Sequence, residues 1–557
     1  MLAKISARSG LHVFGYRGYQ SIIRGGHVWY QIDISEEKLL SHQEGIDILV
    51  ALNQDAINNQ KSHLRENAVV VYDPTKTNTE ILQGRNLRFV KLPMLDIAMK
   101  ESGNPIMRNV AAIGAVLGLV GIDISIFESA ITRMFTKKGE KVVSENIKVG
   151  SEGYKNSEVK QMFVIKGDKI HRHVIEGNAA LALGAYASGC KLYSAYPMTP
   201  ASTILHWFAE HEGNGVTYKQ VEDEIAAINV TIGAASAGIR AMCGTSGGGF
   251  SLMVEGLGLA GMIEAPIVVV LSQRTGPSTG LPTKTEQGDV LFAMHASQGE
   301  FPRIVVAPRN IEECFKLSSD AFNLADRYQC PVIILMDLYM SEHSETTDAF
   351  NFDSIKIDRG KIAWQANPAE RFKRYLYTDD GVSPRSIPGT PGLEFIAGSD
   401  EHDEYGDLVS DAFSGIDEYV ETRRKMMRKR MNKIETMLKN EDVFHPAITN
   451  ESAKNFLVTF GSTTGAALEA AQILNSQGMD FGVISFNYLM PLDADKTKKL
   501  LEGKSLIDVE VNFTAQLAQI IKSNTGIDIQ NRILKYDGEA ITAEQIAKEA
   551  QKIIQNK

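Results

Sequence analysis

An α/β fold, repeated in three domains along one chain, is the architecture this sequence predicts, and three observations carry it. Short apolar, β-branched runs alternate with helix-like stretches from end to end, the pattern of parallel sheets covered by helices. The length, 557 residues, exceeds what a single core organises and implies several domains. Glycine, proline and polar landmarks follow directly on apolar runs. In an open parallel sheet this is where crevices form, at the carboxyl ends of strands.

The first domain, residues 1–150, reads as strands at 28–34, 46–52, 68–72 and 87–92 with helical material between and after them. Residues 110–122 are apolar and glycine-rich, too short to span a membrane, and read as a tightly packed core helix. Arg24-Gly25-Gly26-His27 puts a cation beside approachable backbone, which suits a phosphate; a plain turn is the competing reading. Residues 137–161 are charged and poor in large apolar groups, a linker composition. The second domain, 163–345, has a small-residue helix at 178–189 and strands at 192–196, 267–271, 303–308 and 331–336.

From 346 to 450 the chain makes an irregular excursion rich in Asp, Gly and Pro, then enters a basic amphipathic helix. Val420, Met427, Met431, Ile434 and Leu438 form the apolar stripe of that helix. Its basic face reads as solvated, or set against acidic surface or a partner subunit. Asp400-Glu401-His402-Asp403-Glu404 reads as a solvated acidic turn, with cation binding as the alternative. The last domain, 455–557, has strands at 456–460, 481–486 and 506–511 and a helix at 463–472.

Composition excludes several classes. A net charge of -10 argues against a general nucleic-acid binder. Cys190, Cys243, Cys314 and Cys330 lack CxxC spacing and nearby His partners, so a cluster or zinc site held by this chain alone is not expected, and reduced thiols in the cytoplasm are. The first residues contain no long apolar stretch of the signal-peptide kind.

The candidate chemistry gathers between 191 and 289. Arg274 ends an apolar strand and enters a loop stiffened by Pro277 and Pro282, where a guanidinium can grip a carboxylate through parallel hydrogen bonds; a structural ion pair is the alternative. Thr199 lies between Pro197 and Pro200, its hydroxyl free to face the same crevice or simply to finish a turn. Glu224 opens a small-residue helix, 225–237. In an apolar wall its carboxylate could exchange a proton with a ring nitrogen, whereas on a surface helix it would do nothing special. Gly247-Gly248-Gly249 lets backbone approach a flat ligand or another subunit.

Together these residues resemble the alpha subunits of the 2-oxoacid:ferredoxin oxidoreductases, of the 2-oxoglutarate type. The resemblance spans nearly the whole chain. It rests on Tyr196-Pro197-Met198-Thr199-Pro200, which is similar to the family's YPITP with Met for the commoner Ile, and on the run from Gln273 to Thr283. Gly299-Glu300-Phe301-Pro302-Arg303 and Gly461-Ser462-Thr463 add to it. It implies a gamma-type domain at the N-terminus, a central thiamine-diphosphate pyrimidine-binding fold and a C-terminal transketolase-C-like domain. The GxGGxG loop that usually opens the gamma domain is not found ahead of Ser9-Gly10-Leu11-His12, which bears on any coenzyme A role of that domain.

The resemblance also implies roles. Glu224 would contact the aminopyrimidine ring of thiamine diphosphate and promote its imino form, with Tyr196, Pro197 and Gly248 beside the cofactor. Thr199, Arg274 and Thr283 would bind the 2-oxoacid, and Lys284 and Glu286 would sense its distal end. No GDG with a downstream Asn pair is present, so a beta subunit is expected to bring Mg2+ and an iron-sulfur cluster, in a heterodimer or a dimer of heterodimers. The expected reaction converts 2-oxoglutarate and coenzyme A to succinyl-CoA and CO2 with reduction of ferredoxin, or runs in reverse, without nucleic acid or membrane. Rival readings are another 2-oxoacid, such as pyruvate or a branched-chain acid, and a non-catalytic docking subunit.

Overall fold

The computed structural model describes residues 1–22, 25–157, 162–163, 165–168 and 170–556. It forms two compact units. One comprises Met1–Ile175 with His343–Ala349, the other Glu176–Glu342 with Phe350–Lys557. Arg24, the cation of the expected phosphate turn, lies outside the described residues.

In the first unit the strands Ile46–Ala51, Leu64–Tyr72 and Arg88–Lys91 form a parallel sheet with Leu64–Tyr72 in the middle. A separate antiparallel ladder sets His12–Gly18 between Trp29–Ser35 and the returning strand Ser344–Thr347. The apolar glycine-rich stretch is the helix Arg108–Val120, almost wholly buried. Residues 137–161 are not a linker over most of their length: Glu140–Lys155 is a helix packed on Arg108–Val120. A Cβ on Gly114 would come within 1.9 Å of the Gly150 carbonyl oxygen, and one on Gly153 within 2.0 Å of that of Ala111. Glycines that signalled flexibility therefore serve close backbone packing, with Val149 fully buried beside them.

The second unit is built on a seven-stranded sheet, in the order Tyr488–Met490, Ile304–Val306, Val332–Asp337, Val268–Gln273, Ala241–Thr245, Leu192–Ala195, Thr217–Gln220. All neighbours are parallel except Tyr488–Met490. Val268–Gln273 is buried along its whole length, which explains its unbroken apolar run. A second sheet, Ala447–Thr449, Phe481–Phe486, Asn455–Phe460, Ser505–Glu510, Asn531–Leu534, carries the C-terminal part.

Between Phe350 and Gly415 the described residues hold only a single 3-10 turn, Phe352–Ser354, and isolated bridges. Charge pairing organises the rest, and two expectations change because of it. The acidic turn is not simply solvated: Glu401 pairs with Arg430 at 3.0 Å and Arg423 at 2.5 Å, Glu404 pairs with Lys373 at 3.1 Å, and His402 is buried against the Tyr375 ring. On the helix Ile416–Asn440 the deeply buried side chains are Met426, Lys429, Arg430, Lys433 and Met437. Val420 is exposed, and Met427, Met431, Ile434 and Leu438 are only half-buried. The helix turns its charged stripe inward because buried carboxylates wait there; Arg423, Arg424, Lys425 and Arg428 stay exposed.

Candidate active site

Adjacent parallel strands end together and deliver the expected residues to one edge of the sheet. Leu192–Ala195 runs into Tyr196–Pro200, Ala241–Thr245 into the glycines, and Val268–Gln273 into Arg274. Arg274 and Thr199 meet, through the backbone: Arg274 Nη1 donates to the Thr199 carbonyl oxygen at 2.9 Å and lies 3.6 Å from Met198 Sδ. The guanidinium thus stiffens the proline-bracketed turn while remaining half-exposed. Tyr196 and Pro197 are exposed, and Thr199 and Thr283 are half-buried.

Glu224 is the first residue of the helix Glu224–Ser236, capped by Asp223, whose side chain accepts from Ala226 N at 2.8 Å. It is not a surface glutamate, being 3% exposed. Thr245 Oγ1, at the end of the neighbouring strand, donates to Glu224 Oε1 at 3.2 Å. The helix Gly247–Met262 passes so close that a Cβ on Gly249 would stand 2.0 Å from Thr245 Oγ1 and 2.2 Å from Glu224 Oε1. Gly248 differs: its open face has nothing nearer than the Ser278 carbonyl oxygen at 3.8 Å. Behind Gly247 stands Asp289, where a Cβ would come within 2.3 Å of Oδ2. Burial, and then Glu286, push the Asp289 carboxyl up to about 6.

The loop after Arg274 folds back on itself and is fastened to the C-terminal part of the same unit. Thr275 N donates to the Lys284 carbonyl oxygen at 3.0 Å, Thr285 N to that of Gly538 at 3.0 Å, and Gln287 N to that of Val511 at 2.7 Å. Lys284 forms an ion pair with Glu539. The buried Gln287 is a hub: its Nε2 donates to Asp337 Oδ2 at 3.2 Å, and its Oε1 accepts from Thr463 Oγ1 at 2.8 Å. Ser462 hydrogen-bonds Asp337, so the Gly461-Ser462-Thr463 motif closes on this loop. Arg303 of the Gly299–Arg303 motif works structurally, donating to the Ala296 carbonyl oxygen and stacking on Phe301 at 4.2 Å.

Thr245, Gln287 and Asp289 were not singled out from sequence. Their partners lie far away in the chain, and only the strand-end position of Thr245 was a signal for any of them. Among the described residues no group of His, Cys, Asp and Glu could hold a metal ion, and no helix is long and apolar enough to cross a membrane. All four cysteines are buried and outside any disulfide.

Three family models match the chain. They are described as pyruvate flavodoxin/ferredoxin oxidoreductase, thiamine diphosphate-binding, over residues 183–422; pyruvate ferredoxin/flavodoxin oxidoreductase over 1–156; and transketolase, C-terminal domain, over 447–518. The chain is 31% identical to the 2-oxoacid:ferredoxin oxidoreductase subunit alpha of Saccharolobus solfataricus, covering 99% of this chain and 94% of that one. It is 30% identical to the 2-oxoglutarate oxidoreductase subunit KorA of Mycobacterium tuberculosis, covering 93% and 82%. Among solved structures it is similar to 2-oxoglutarate:ferredoxin oxidoreductase from Magnetococcus marinus with 2-oxoglutarate, coenzyme A and succinyl-CoA bound, at TM-score 0.90 and 32% identity, covering 100% of this chain and 96% of that one. With a buried helix-start carboxylate, an arginine-clamped turn and an open glycine helix start on one sheet edge, the chain belongs to the alpha subunits of the 2-oxoacid:ferredoxin oxidoreductases.

Proposed function

We propose that this chain is the alpha subunit of a 2-oxoglutarate:ferredoxin oxidoreductase. With a beta subunit it converts 2-oxoglutarate and coenzyme A to succinyl-CoA and CO2 while electrons pass to ferredoxin, or runs the reverse carboxylation. The observation that carries this reading is the seat of Glu224: buried, hydrogen-bonded by Thr245, and kept in place by the missing side chain of Gly249. The residues present fit thiamine diphosphate. The open face of Gly248 suits a flat group, and the Glu224 carboxylate lies against the next residue, Gly249. When bound, the cofactor supplies the electron sink for decarboxylation.

Glu224 holds and returns a proton at the pyrimidine ring nitrogen, with Tyr196, Pro197 and Gly248 lining the cofactor. Arg274, which holds the Thr199 carbonyl, grips the substrate carboxylate, helped by the Thr199 and Thr283 hydroxyls. Lys284 exchanges Glu539 for the distal carboxylate of 2-oxoglutarate. The beta subunit brings Mg2+ and the iron-sulfur cluster, in a heterodimer or a dimer of heterodimers. Four buried cysteines outside any disulfide suit work in the cytoplasm.

The test is anaerobic turnover of the chain co-expressed with its beta subunit, with a viologen dye as acceptor. Catalytic efficiencies for 2-oxoglutarate and pyruvate are compared, with and without coenzyme A. Strong preference for 2-oxoglutarate supports the substrate; preference for pyruvate replaces it. Glu224→Gln should slow deuterium exchange at the thiazolium carbon of bound thiamine diphosphate with the complex intact. An unchanged exchange rate removes Glu224 from its role.

A further inference from the structure

Asp289 occupies the position before the short helix Val290–His295 at which an aspartate ordinarily caps, yet its side chain makes no cap. The N–H it would take, that of Leu291, is held instead by Gln516 Oε1 at 2.9 Å, and Gln516 Nε2 donates to the Gly288 carbonyl oxygen at 2.7 Å. The Asp289 backbone is fixed as well. Its N–H donates to Oε1 of the buried Gln273 at 2.8 Å, and its carbonyl oxygen accepts from Ala293 N at 2.9 Å. Gln516 therefore supplies the cap, and the aspartate side chain turns to another element. That element is the start of the glycine helix, where its two oxygens lie 2.3 and 3.1 Å from the place of a Cβ on Gly247. The half-buried carboxylate has no hydrogen-bond or ion-pair partner among the described residues, and neither of its oxygens is sealed from water.

Successive residues of a helix turn by about 100°, so Gly247 and Gly249 face opposite flanks of the helix Gly247–Met262 and Gly248 faces between them. Asp289 stands on the first flank and Glu224 on the second. The open face of Gly248 thus lies between two carboxylates, one buried and hydrogen-bonded by Thr245, the other unpartnered. Among the described residues Glu286 is the charged group that bears on Asp289. The other facing elements present uncharged groups: Gln273 on its strand, Ser246 and the glycines at the helix start, and Gln516 at the start of the helix Gln516–Thr525. Burial, and then Glu286, keep the proton on Asp289 up to about 6, a value from which a carboxyl exchanges protons near neutral pH.

We propose, on the reading of this seat as a thiamine diphosphate site, that Asp289 is a second acid–base group, exchanging a proton with the amino-bearing flat ring on Gly248 from the flank opposite Glu224. Glu224 gives its proton to a ring nitrogen, which makes an exocyclic N–H more acidic. Asp289, ionised, takes that second proton and becomes a neutral carboxyl as the N–H bond breaks and its electron pair stays on nitrogen. One proton enters the ring system and one leaves it, so its charge is unchanged and no further reactant is needed. The reverse transfers restore both residues.

The test uses the complete enzyme of alpha and beta subunits. Calorimetric titration with thiamine diphosphate and Mg2+ near pH 6, in two buffers of different ionisation heat, counts the protons released on binding. An N–H donor set against Asp289 favours its ionised form, so the wild type should release more proton than Asp289→Asn; the titration of the cofactor itself is common to both. Deuterium exchange at the thiazolium carbon should fall on the acid side of the wild-type pH profile, at or below about pH 6, where Asp289 is protonated. In Asp289→Asn it should be about 10²-fold slower and lack that fall. The variant should melt no lower than the wild type, since the side chain caps nothing. Equal proton counts overturn the proposal, as does an exchange profile in Asp289→Asn that overlays the wild type; a lowered melting temperature with normal exchange makes Asp289 a structural residue. A wild-type profile with no fall on the acid side overturns it without any variant. Slowed exchange in Glu224→Gln beside normal exchange in Asp289→Asn removes Asp289 alone, whereas a wild-type complex that binds no thiamine diphosphate removes both readings.

Discussion

Gly249→Ala perturbs the seat of Glu224 by a single methyl group. That methyl would stand 2.0 Å from Thr245 Oγ1 and 2.2 Å from Glu224 Oε1, so more than ~1 Å of movement is needed to reach ordinary contact. Thr245 cannot give way easily: it is fully buried on a strand paired with Val268–Gln273. The flexible partner is the Glu224 carboxylate, which should swing out and lose its hydrogen bond from Thr245. Loss of a hydrogen bond to a charged group costs about 1.5–3 kcal/mol, and overpacking about 1–3 more. Replacing glycine by alanine in a helix returns about 1 kcal/mol, leaving a net destabilisation of about 1.5–5 kcal/mol. The larger effect is functional on the proposed role of Glu224, because displacing an acid-base group lowers rates by about 10²–10⁴.

The assay pairs two readouts on the complex, its melting temperature and deuterium exchange at the thiazolium carbon of bound cofactor. Gly248→Ala is the internal comparison. Its Cβ meets nothing within 3.8 Å, so the cofactor-free chain should be as stable or more so by about 0.5–1 kcal/mol, while thiamine diphosphate binds more weakly. Normal stability and exchange in Gly249→Ala, or the two variants behaving alike, would refute the reasoning.

Three further outcomes are expected. Glu264→Gln strips Lys429 and Lys433 of their shared carboxylate and should cost about 3–5 kcal/mol, read as a melting temperature lowered on the order of 10 °C. Burial, then Glu510, raises the Asp508 carboxyl well above its ordinary range. A raised carboxyl contributes stability that is complete below its unfolded value and lost as pH climbs through the folded one, at about 1.4 kcal/mol per pH unit. Asp508→Asn should therefore gain on the wild type as pH rises from 4, seen in urea midpoints; parallel pH curves for the two proteins would contradict this. Lys284→Met should lower efficiency with 2-oxoglutarate about 10–100-fold and spare pyruvate, whereas Glu539→Gln, which releases Lys284, should tighten 2-oxoglutarate binding. Equal losses on both substrates would remove Lys284 from distal recognition.

Local signals carried much of the fold. The run at 267–271 is unbroken because Val268–Gln273 lies inside a parallel sheet, and the strands at 456–460 and 481–486 are apolar for the same reason. The residues of the candidate site were visible as landmarks after such strands, but their arrangement was not. That Arg274 takes the carbonyl of Thr199 depends on two strand ends lying two positions apart in the sheet, and the role of Gln287 depends on partners near 337, 463 and 511. Composition misled where chemistry was long-range. Gly150 and Gly153 looked like linker residues because the helix they touch is some forty positions away by sequence. Glu401 looked solvated because Arg430 follows only after an irregular stretch.

The returning strand Ser344–Thr347 sets an order of events during synthesis. The ladder containing His12–Gly18 cannot be completed from the N-terminal segment alone, since its other neighbour is made only after about 170 more residues beyond Ile175. At translation speeds of about 5–20 residues per second, that wait lasts roughly 10–35 seconds. Throughout it, one edge of His12–Gly18 offers unpaired backbone groups to whatever it meets. A nascent chain of this subunit therefore calls for chaperone cover at its beginning until its middle has been made. Separately expressed N-terminal fragments ending near Ile175 should aggregate unless the Ser344–Thr347 segment is supplied with them.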